Sequence, residues 1–153
     1  MISFREGDLF ACGAPALAHG VNCKGVMGAG IAVQFRQRHP EMYKSYRRRC
    51  LRGEMIPGDI LSWREPACPV VFNLATQQLP GPFARPWMVA AAIGRMITEA
   101  HHDYKIHEIA MPLIGCGIGG LTENDLRRCL APYADAPVNL TVMVLPAAGA
   151  VAV

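Results

Sequence analysis

The strongest constraint on this fold is a pair of glycine-spaced junctions, each lying between an apolar strand pattern and a helical one. The first is Val21-Asn22-Cys23-Lys24-Gly25-Val26-Met27-Gly28-Ala29-Gly30-Ile31-Ala32. Ala16 to Asn22 reads as a buried strand, and a helical pattern runs from about Gly30 to Gln37. The second junction, Leu113-Ile114-Gly115-Cys116-Gly117-Ile118-Gly119-Gly120-Leu121, follows the strand pattern Ile106 to Leu113 and precedes a helix capped by Thr122. Such a turn leaves backbone N–H groups unpaired at the positive end of a helix dipole, which suits a phosphate. Two of them predict a ligand with a diphosphate.

The remaining segments continue the alternation. Ile2 to Arg5 is a short strand pattern closed by the Gly7-Asp8 turn. Pro40 opens a helix to Leu51, with Gly53 as its stop, and Asp59 to Trp63 and Val70 to Thr76 read as strands. Gln77 to Arg85 carries Pro80, Gly81 and Pro82 and must be a loop before Pro86 begins a helix to about His102. Asn139 to Leu145 is the last strand. This order predicts a three-layer α/β/α sandwich around a mixed, mostly buried sheet of about six strands. At 153 residues the chain fits a single domain spanning 1–153, with no internal repeat or linker. The apolar stretch from Leu140 to Val153 is shorter than the roughly 20 residues of a membrane span, and Pro146 and Gly149 interrupt it. It reads as the last strand and a tail of small residues.

Composition narrows the functional class. Hydrophobic residues make up 52% and charged ones 18%, which excludes a long disordered segment. The net charge of +3 is mild but uneven. Arg36, Arg38, Lys44, Arg47, Arg48, Arg49 and Arg52 fall in one segment, either a solvated helix face or a surface for an acidic partner. The six cysteines include no Cys-x-x-Cys and no zinc-like Cys/His spacing, so free thiols in a reducing cytoplasm are expected, with no metal or other cofactor. Met1 to Glu6 lack the basic start and apolar run of a signal peptide, and no membrane partner is expected.

Gly115, Gly117 and Gly120 satisfy G-x-G-x-x-G, yet that dinucleotide fingerprint belongs to the first strand-helix-strand unit of a larger sheet. Here one strand remains after it, ending in Leu145-Pro146. A Walker loop is excluded because Gly-Lys-Ser/Thr occurs nowhere. Cys23 and Cys116 sit in the glycine loops, but a thiol nucleophile needs a base held nearby and the sequence places none. Both read as small buried thiols, and His19, His101 and His102 read as structural. Asn22 differs, because an amide at the carboxyl end of a strand lies where open α/β sheets bind ligands.

The order Gly7-Asp8-Leu9-Phe10, then Val21 to Phe35, then Pro112 to Leu121 resembles a macrodomain, the ADP-ribose-binding module. Met-Gly-Ala-Gly-Ile-Ala with Ile-Gly-Cys-Gly is similar to the branch containing the terminal ADP-ribose glycohydrolase and the DNA ADP-ribosyl glycohydrolase antitoxins. The resemblance runs from about residue 3 to 146. It implies that Asp8 accepts from the adenine amino group with the backbone of Leu9 beside it. It implies that Asn22 and the turn Met27, Gly28, Ala29, Gly30, Ile31, Ala32 hold the distal ribose and part of the diphosphate. Ile114, Gly115, Cys116, Gly117, Ile118, Gly119 and Gly120 would wrap the diphosphate from the other side, and Thr76 and Gln77 complete the ligand-binding set.

The sequence departs from that branch where its chemistry is expected. A lysine that follows a threonine after the fourth strand is replaced in Thr76-Gln77-Gln78, and an acid late in the second loop is replaced in Ile118-Gly119-Gly120. The expected function is ADP-ribose binding, with hydrolysis of the bond between ADP-ribose and a modified protein or nucleic acid by substrate-assisted water attack. Asn22 is the expected catalytic residue. A non-catalytic ADP-ribose reader and a nucleic-acid-associated module using Arg36 to Arg52 are the alternatives.

Overall fold

A computed structural model of the chain describes residues 1–146, so the expected tail of small residues lies outside the described residues. Six strands form one sheet: β1 (Ile2–Glu6), β2 (Ala16–Val21), β3 (Ile60–Trp63), β4 (Val70–Ala75), β5 (Glu108–Met111) and β6 (Asn139–Val144). Their order is β1-β6-β5-β2-β4-β3. β3 runs antiparallel to β4, and the other pairings are parallel.

Side-chain alternation along each strand divides the core in two. Ala16, Ala18, Phe72, Leu74, Met111 and Val142 belong to one cluster, with Val89, Ile93 and Met96 of α3 (Pro86–His102) and Leu126 and Leu130 of α4 (Glu123–Leu130). Leu17, Val21, Val71, Ala75, Ala110 and Met143 belong to the other, with Phe35 of α1 (Ile31–Arg38) and Met42 and Tyr46 of α2 (Pro40–Leu51). Both sheet faces are therefore covered by helices, and the expected three layers follow.

Element ends differ from expectation by a few residues, for local reasons. β3 starts at Ile60 because the Asp59 carboxylate accepts from the Ile60 N–H at 2.9 Å, turning the chain before the ladder begins. β5 is shorter than Ile106 to Leu113 because Lys105 has φ 56° before it and Pro112, which has no N–H to give a ladder, follows it. Among the described residues no helix is long and apolar enough to cross a membrane.

The topology determines where a ligand can sit. β2 and β5 are neighbours, but β2 leads to α1 on one face of the sheet and β5 leads to α4 on the other. Two loops that diverge from adjacent parallel strands leave a crevice at their carboxyl ends.

Candidate functional site

A cavity of about 1000 Å³ occupies that crevice. Its walls are the segments that follow β1, β2, β4, β5 and β6, so all five parallel strands aim their carboxyl ends into it. It reaches from Asp8 after β1 to Gln77 after β4. Those strands are four spacings apart, or about 19 Å at roughly 4.8 Å each, a span that suits a long ligand lying across the sheet edge.

Asp8, Leu9, Asn22, Gly28 to Ala32, Thr76, Gln77 and Ile114 to Gly119 line the cavity, as the sequence suggested. Met27 and Gly120 do not. Met27 is 1% exposed and packs in the core under the first loop, and Gly120 takes φ 86° beside Pro82, behind the second loop. Gly7, Phe10, Val26, Gln34, Pro80, Gly81 and Met143 to Leu145 also line the cavity and were not expected. Val144 and Leu145 had a usable signal, because they end a parallel strand, and such ends converge.

The first loop is organised by Asn22, which is buried. Its Oδ1 accepts from the Lys24 N–H at 3.0 Å, the Val26 N–H at 3.3 Å and the Tyr46 hydroxyl at 3.0 Å. Its Nδ2 donates to the Val26 carbonyl at 2.8 Å. Tyr46 also donates to the Asn22 carbonyl at 2.7 Å, tying the loop to α2. The Asn22 amide thus holds the turn in shape, and one N–H of Nδ2 is left for a ligand. Gly30 ends the turn at φ 61° with no side-chain cap on α1, so the first N–H groups of that helix are left facing the cavity.

The second loop works differently from the first, which corrects the expectation of two equivalent helix ends. The α4 N-terminus is closed by its own side chains. Thr122 accepts from the Asp125 N–H at 3.1 Å, and Asp125 accepts from the Thr122 N–H at 2.9 Å. With Glu123 also in that first turn, the helix end is already neutralised and lies outside the cavity lining. The ligand-facing backbone is instead the short 3-10 turn Gly117–Gly119, entered through Gly115 at φ 79° and Gly117 at φ 68°. A Cβ on Gly115 would come within 2.9 Å of Leu121. Only glycine fits there without displacing that side chain.

At the opposite end from Asp8, Gln77 donates to the carbonyls of Leu79 at 2.6 Å and Gly81 at 2.9 Å, which pins the turn through Pro80. Both of its N–H groups are used, and the side chain has only its carbonyl oxygen left to accept a bond. That oxygen faces Gly119, where a Cβ would meet it at 3.3 Å and Ala84 at 3.0 Å. At the first end the Asp8 carboxylate accepts from the Phe10 N–H at 2.9 Å through one oxygen.

Among the described residues lining the cavity, the ionisable side chains are Asp8 and Cys116. Burial raises the Cys116 thiol above its ordinary value, and the carboxylates of Asp125 and Glu123 add to the effect. Burial likewise pushes Cys23 up to about 11. Neither is an activated nucleophile; Cys23 is buried as expected, whereas Cys116 is only half-buried because it lines the cavity. His19 is fully buried, stacked on Phe35 at 4.0 Å between ring centroids and 2.6 Å from Asn73 Oδ1, and burial lowers its pKa to about 4. The basic segment forms local contacts over much of its length. Arg36 lies over Tyr43, Arg38 over Phe10, Lys44 pairs with Glu41 and Arg49 with Asp59.

The chain as a whole is similar to known proteins in sequence and fold. The Macro domain family model matches residues 18–130. A DNA ADP-ribosyl glycohydrolase of Mycobacterium tuberculosis is 30% identical over 97% of this chain and 43% of its own length. An ADP-ribose 1''-phosphate phosphatase of Candida albicans is 29% identical over 94% of this chain and 100% of its own. Among solved structures, the macrodomain of Mycobacterium tuberculosis DarG superimposes with a TM-score of 0.83 at 30% identity, covering 96% of this chain and 99% of that one. The chain spans about two fifths of the length of the DNA ADP-ribosyl glycohydrolases it matches.

Proposed function

Because the chain belongs to the macro domain family, we propose that it binds ADP-ribose and hydrolyses the bond joining ADP-ribose to a modified macromolecule, an ADP-ribosylated protein or nucleic acid. One observation carries this reading. Two glycine turns on neighbouring strands face each other across a single cavity, with a carboxylate at one end and two side-chain amides at the other. That order of groups matches the order of parts in ADP-ribose: adenine, diphosphate, distal ribose.

Asp8 accepts from the adenine amino group beside the backbone of Leu9. The N–H groups at the start of α1 and in the Gly117–Gly119 turn surround the diphosphate. The distal ribose lies between Asn22 and Gln77, and the remaining N–H of Asn22 donates to a ribose hydroxyl. Asn22 is catalytic in that sense: it touches the reacting sugar and holds it in place.

At the anomeric carbon, the bond to the acceptor breaks and its electron pair leaves with the acceptor. Positive charge grows on the sugar, and the adjacent diphosphate offsets it. A water, hydrogen-bonded to Gln77 Oε1, adds to that carbon and loses its proton to a diphosphate oxygen or to solvent. The protein contributes position and field rather than a side-chain acid or base. Free thiols at all six cysteines fit a reducing compartment such as the cytoplasm.

Incubation with ADP-ribosylated peptides and oligonucleotides should release free ADP-ribose, and calorimetry should show much weaker binding of AMP than of ADP-ribose. Binding without release would make the protein a reader, an outcome consistent with a distal end that holds no ionisable side chain among the described lining residues. No heat and no thermal shift with ADP-ribose would end the assignment.

A further inference from the structure

A second cavity, of about 810 Å³, lies between β3 and α3 and shares no lining residue with the first. Among the described residues β3 is the outermost strand on its side of the sheet, so one row of its backbone groups faces away from β4. Hydrogen bonds identify that row. The Asp59 carbonyl accepts from the Ala75 N–H at 2.9 Å, and an antiparallel ladder bonds every second residue. Leu61 and Trp63 therefore face β4, whereas Ile60 and Ser62 face outward. Side chains already hold the outward groups of Ile60: its N–H donates to Asp59 Oδ1 at 2.9 Å and its carbonyl accepts from Arg49 at 3.3 Å. Ser62 is held through its hydroxyl, which donates to Glu99 and accepts from Tyr104 at 2.9 Å. Its backbone N–H and carbonyl are left open to the cavity.

The cavity has the length and the charges to take an extended peptide. Its α3 wall runs from Ala91 to Asp103, about 18 Å at roughly 1.5 Å per residue, which is room for about five residues of strand. Ala91 lies against Gly58, and Glu99 bonds Ser62, so α3 and β3 run the same way along it. At the Gly58 end Asp59 lies between Arg49 at 3.2 Å and Arg95 at 3.1 Å, two cations to one carboxylate. At the other end stand Glu99 and Asp103. Arg64 and Lys105 follow nearby in sequence but do not line the cavity, and Arg64 lies over the Tyr104 ring at 5.3 Å. From Arg95 to Asp103 the wall measures about 12 Å, close to the roughly 13 Å between residues i and i+4 on one face of a strand. A second copy of β3 paired through Ser62 would set Asp59 across from Glu65, like charges facing along the ladder. A separate peptide has no such conflict.

We propose that this cavity binds an extended peptide of a partner protein as an added strand antiparallel to β3. A basic residue of the peptide meets Glu99 and Asp103, and an acidic residue four positions later meets Arg49 and Arg95. The Ser62 backbone forms the central rung, the mode by which an open sheet edge captures extended chains. This binding does not rest on the ADP-ribose reading of the first cavity.

The probe is an end-blocked peptide, Thr-Lys-Val-Thr-Val-Glu-Thr, labelled with fluorescein and followed by anisotropy. It should bind with a Kd below about 1 mM. Arg95→Gln and Asp103→Asn should each weaken it roughly two- to fivefold, the range for exposed ion pairs. Ser62→Ala removes the hydroxyl but keeps the backbone N–H, and should leave peptide affinity unchanged. Ser62→Pro removes that N–H, which faces out of the ladder, and should weaken binding roughly fivefold. No saturable binding of the probe, or equal affinities of the Ala and Pro variants, would overturn the proposal. If Ser62→Pro fails to fold, methylation of the backbone nitrogen of the central threonine of the probe tests the same rung and should weaken binding as much. A probe with Lys and Glu exchanged that bound as tightly would also overturn it. Saturating ADP-ribose should leave peptide affinity unchanged, and competition between the two would overturn the proposal by placing the peptide in the first cavity. Dimerisation in sedimentation that Ser62→Pro abolishes would overturn it in favour of a second copy of this chain.

Discussion

Asn22 and Tyr46 act as one unit, since the tyrosine hydroxyl donates to both oxygens of the asparagine. Tyr46→Phe leaves that pair of buried acceptors short of a partner and should cost about 1–3 kcal/mol of stability in urea denaturation. ADP-ribose affinity should fall several-fold with it, and an unchanged affinity would mean that the bonds to Lys24 and Val26 hold the loop alone. His19 supports a pH prediction. Burial keeps it neutral when folded, with a pKa of about 4 against 6.5 for the free side chain. The unfolded chain therefore takes up a proton that the folded chain refuses, and stability falls as pH drops from about 6.5 to 4. The loss is on the order of 3 kcal/mol, and His19→Gln, which retains a donor for Asn73, should flatten that part of the profile. Equal slopes for wild type and variant between pH 7 and 4.5 would place the acid sensitivity elsewhere.

The two glycine junctions look alike in sequence and differ as elements. Both strand-to-helix turns were legible from glycine spacing, as were the helices that open at Pro40 and Pro86, because proline at the first helical position leaves no donor unsatisfied. The sequence marked Thr122 as a cap without revealing that the cap removes the α4 N-terminus from ligand binding, since that depends on which way the turn faces. The difference can be measured. Thr122→Ala should lower stability by about 1 kcal/mol and leave ADP-ribose affinity unchanged, because it loosens a helix end outside the cavity. Gly30→Ala should do the reverse and weaken ADP-ribose binding, because φ 61° disfavours a side chain and its Cβ would press on Ile118 at 3.3 Å. Matching effects of the two substitutions on affinity would restore the picture of two equivalent helix ends. The uses of Gln77 and Asn22 were hidden for a related reason. Their amides bond to backbone carbonyls and N–H groups, partners that no residue pattern displays.

At the scale of the molecule, the cavity joins two packed layers that otherwise meet only through the sheet. Its first wall leads to α1 and α2, and its second wall leads to α4 and α3. A ligand held by both walls should raise the melting temperature cooperatively. At a hundred times its dissociation constant, ADP-ribose should add about 2.7 kcal/mol, and a clearly smaller shift would show that it also binds the unfolded chain. The strand alternation made three layers legible, but the order β1-β6-β5-β2-β4-β3 was not. It is determined by which apolar faces find each other across long separations. The seam between the two walls is also the thinnest pairing in the sheet, since β2 meets β5 through one registered pair, Leu17 with Ala110, against six between β2 and β4. Those two residues are made far apart in time as a chain is synthesised from its N-terminus. Nothing able to grip both ends of the ligand exists until β5 has slotted in beside β2 and β6, the last strand, has joined β5 to β1, so ADP-ribose can distinguish a finished molecule from a nascent one.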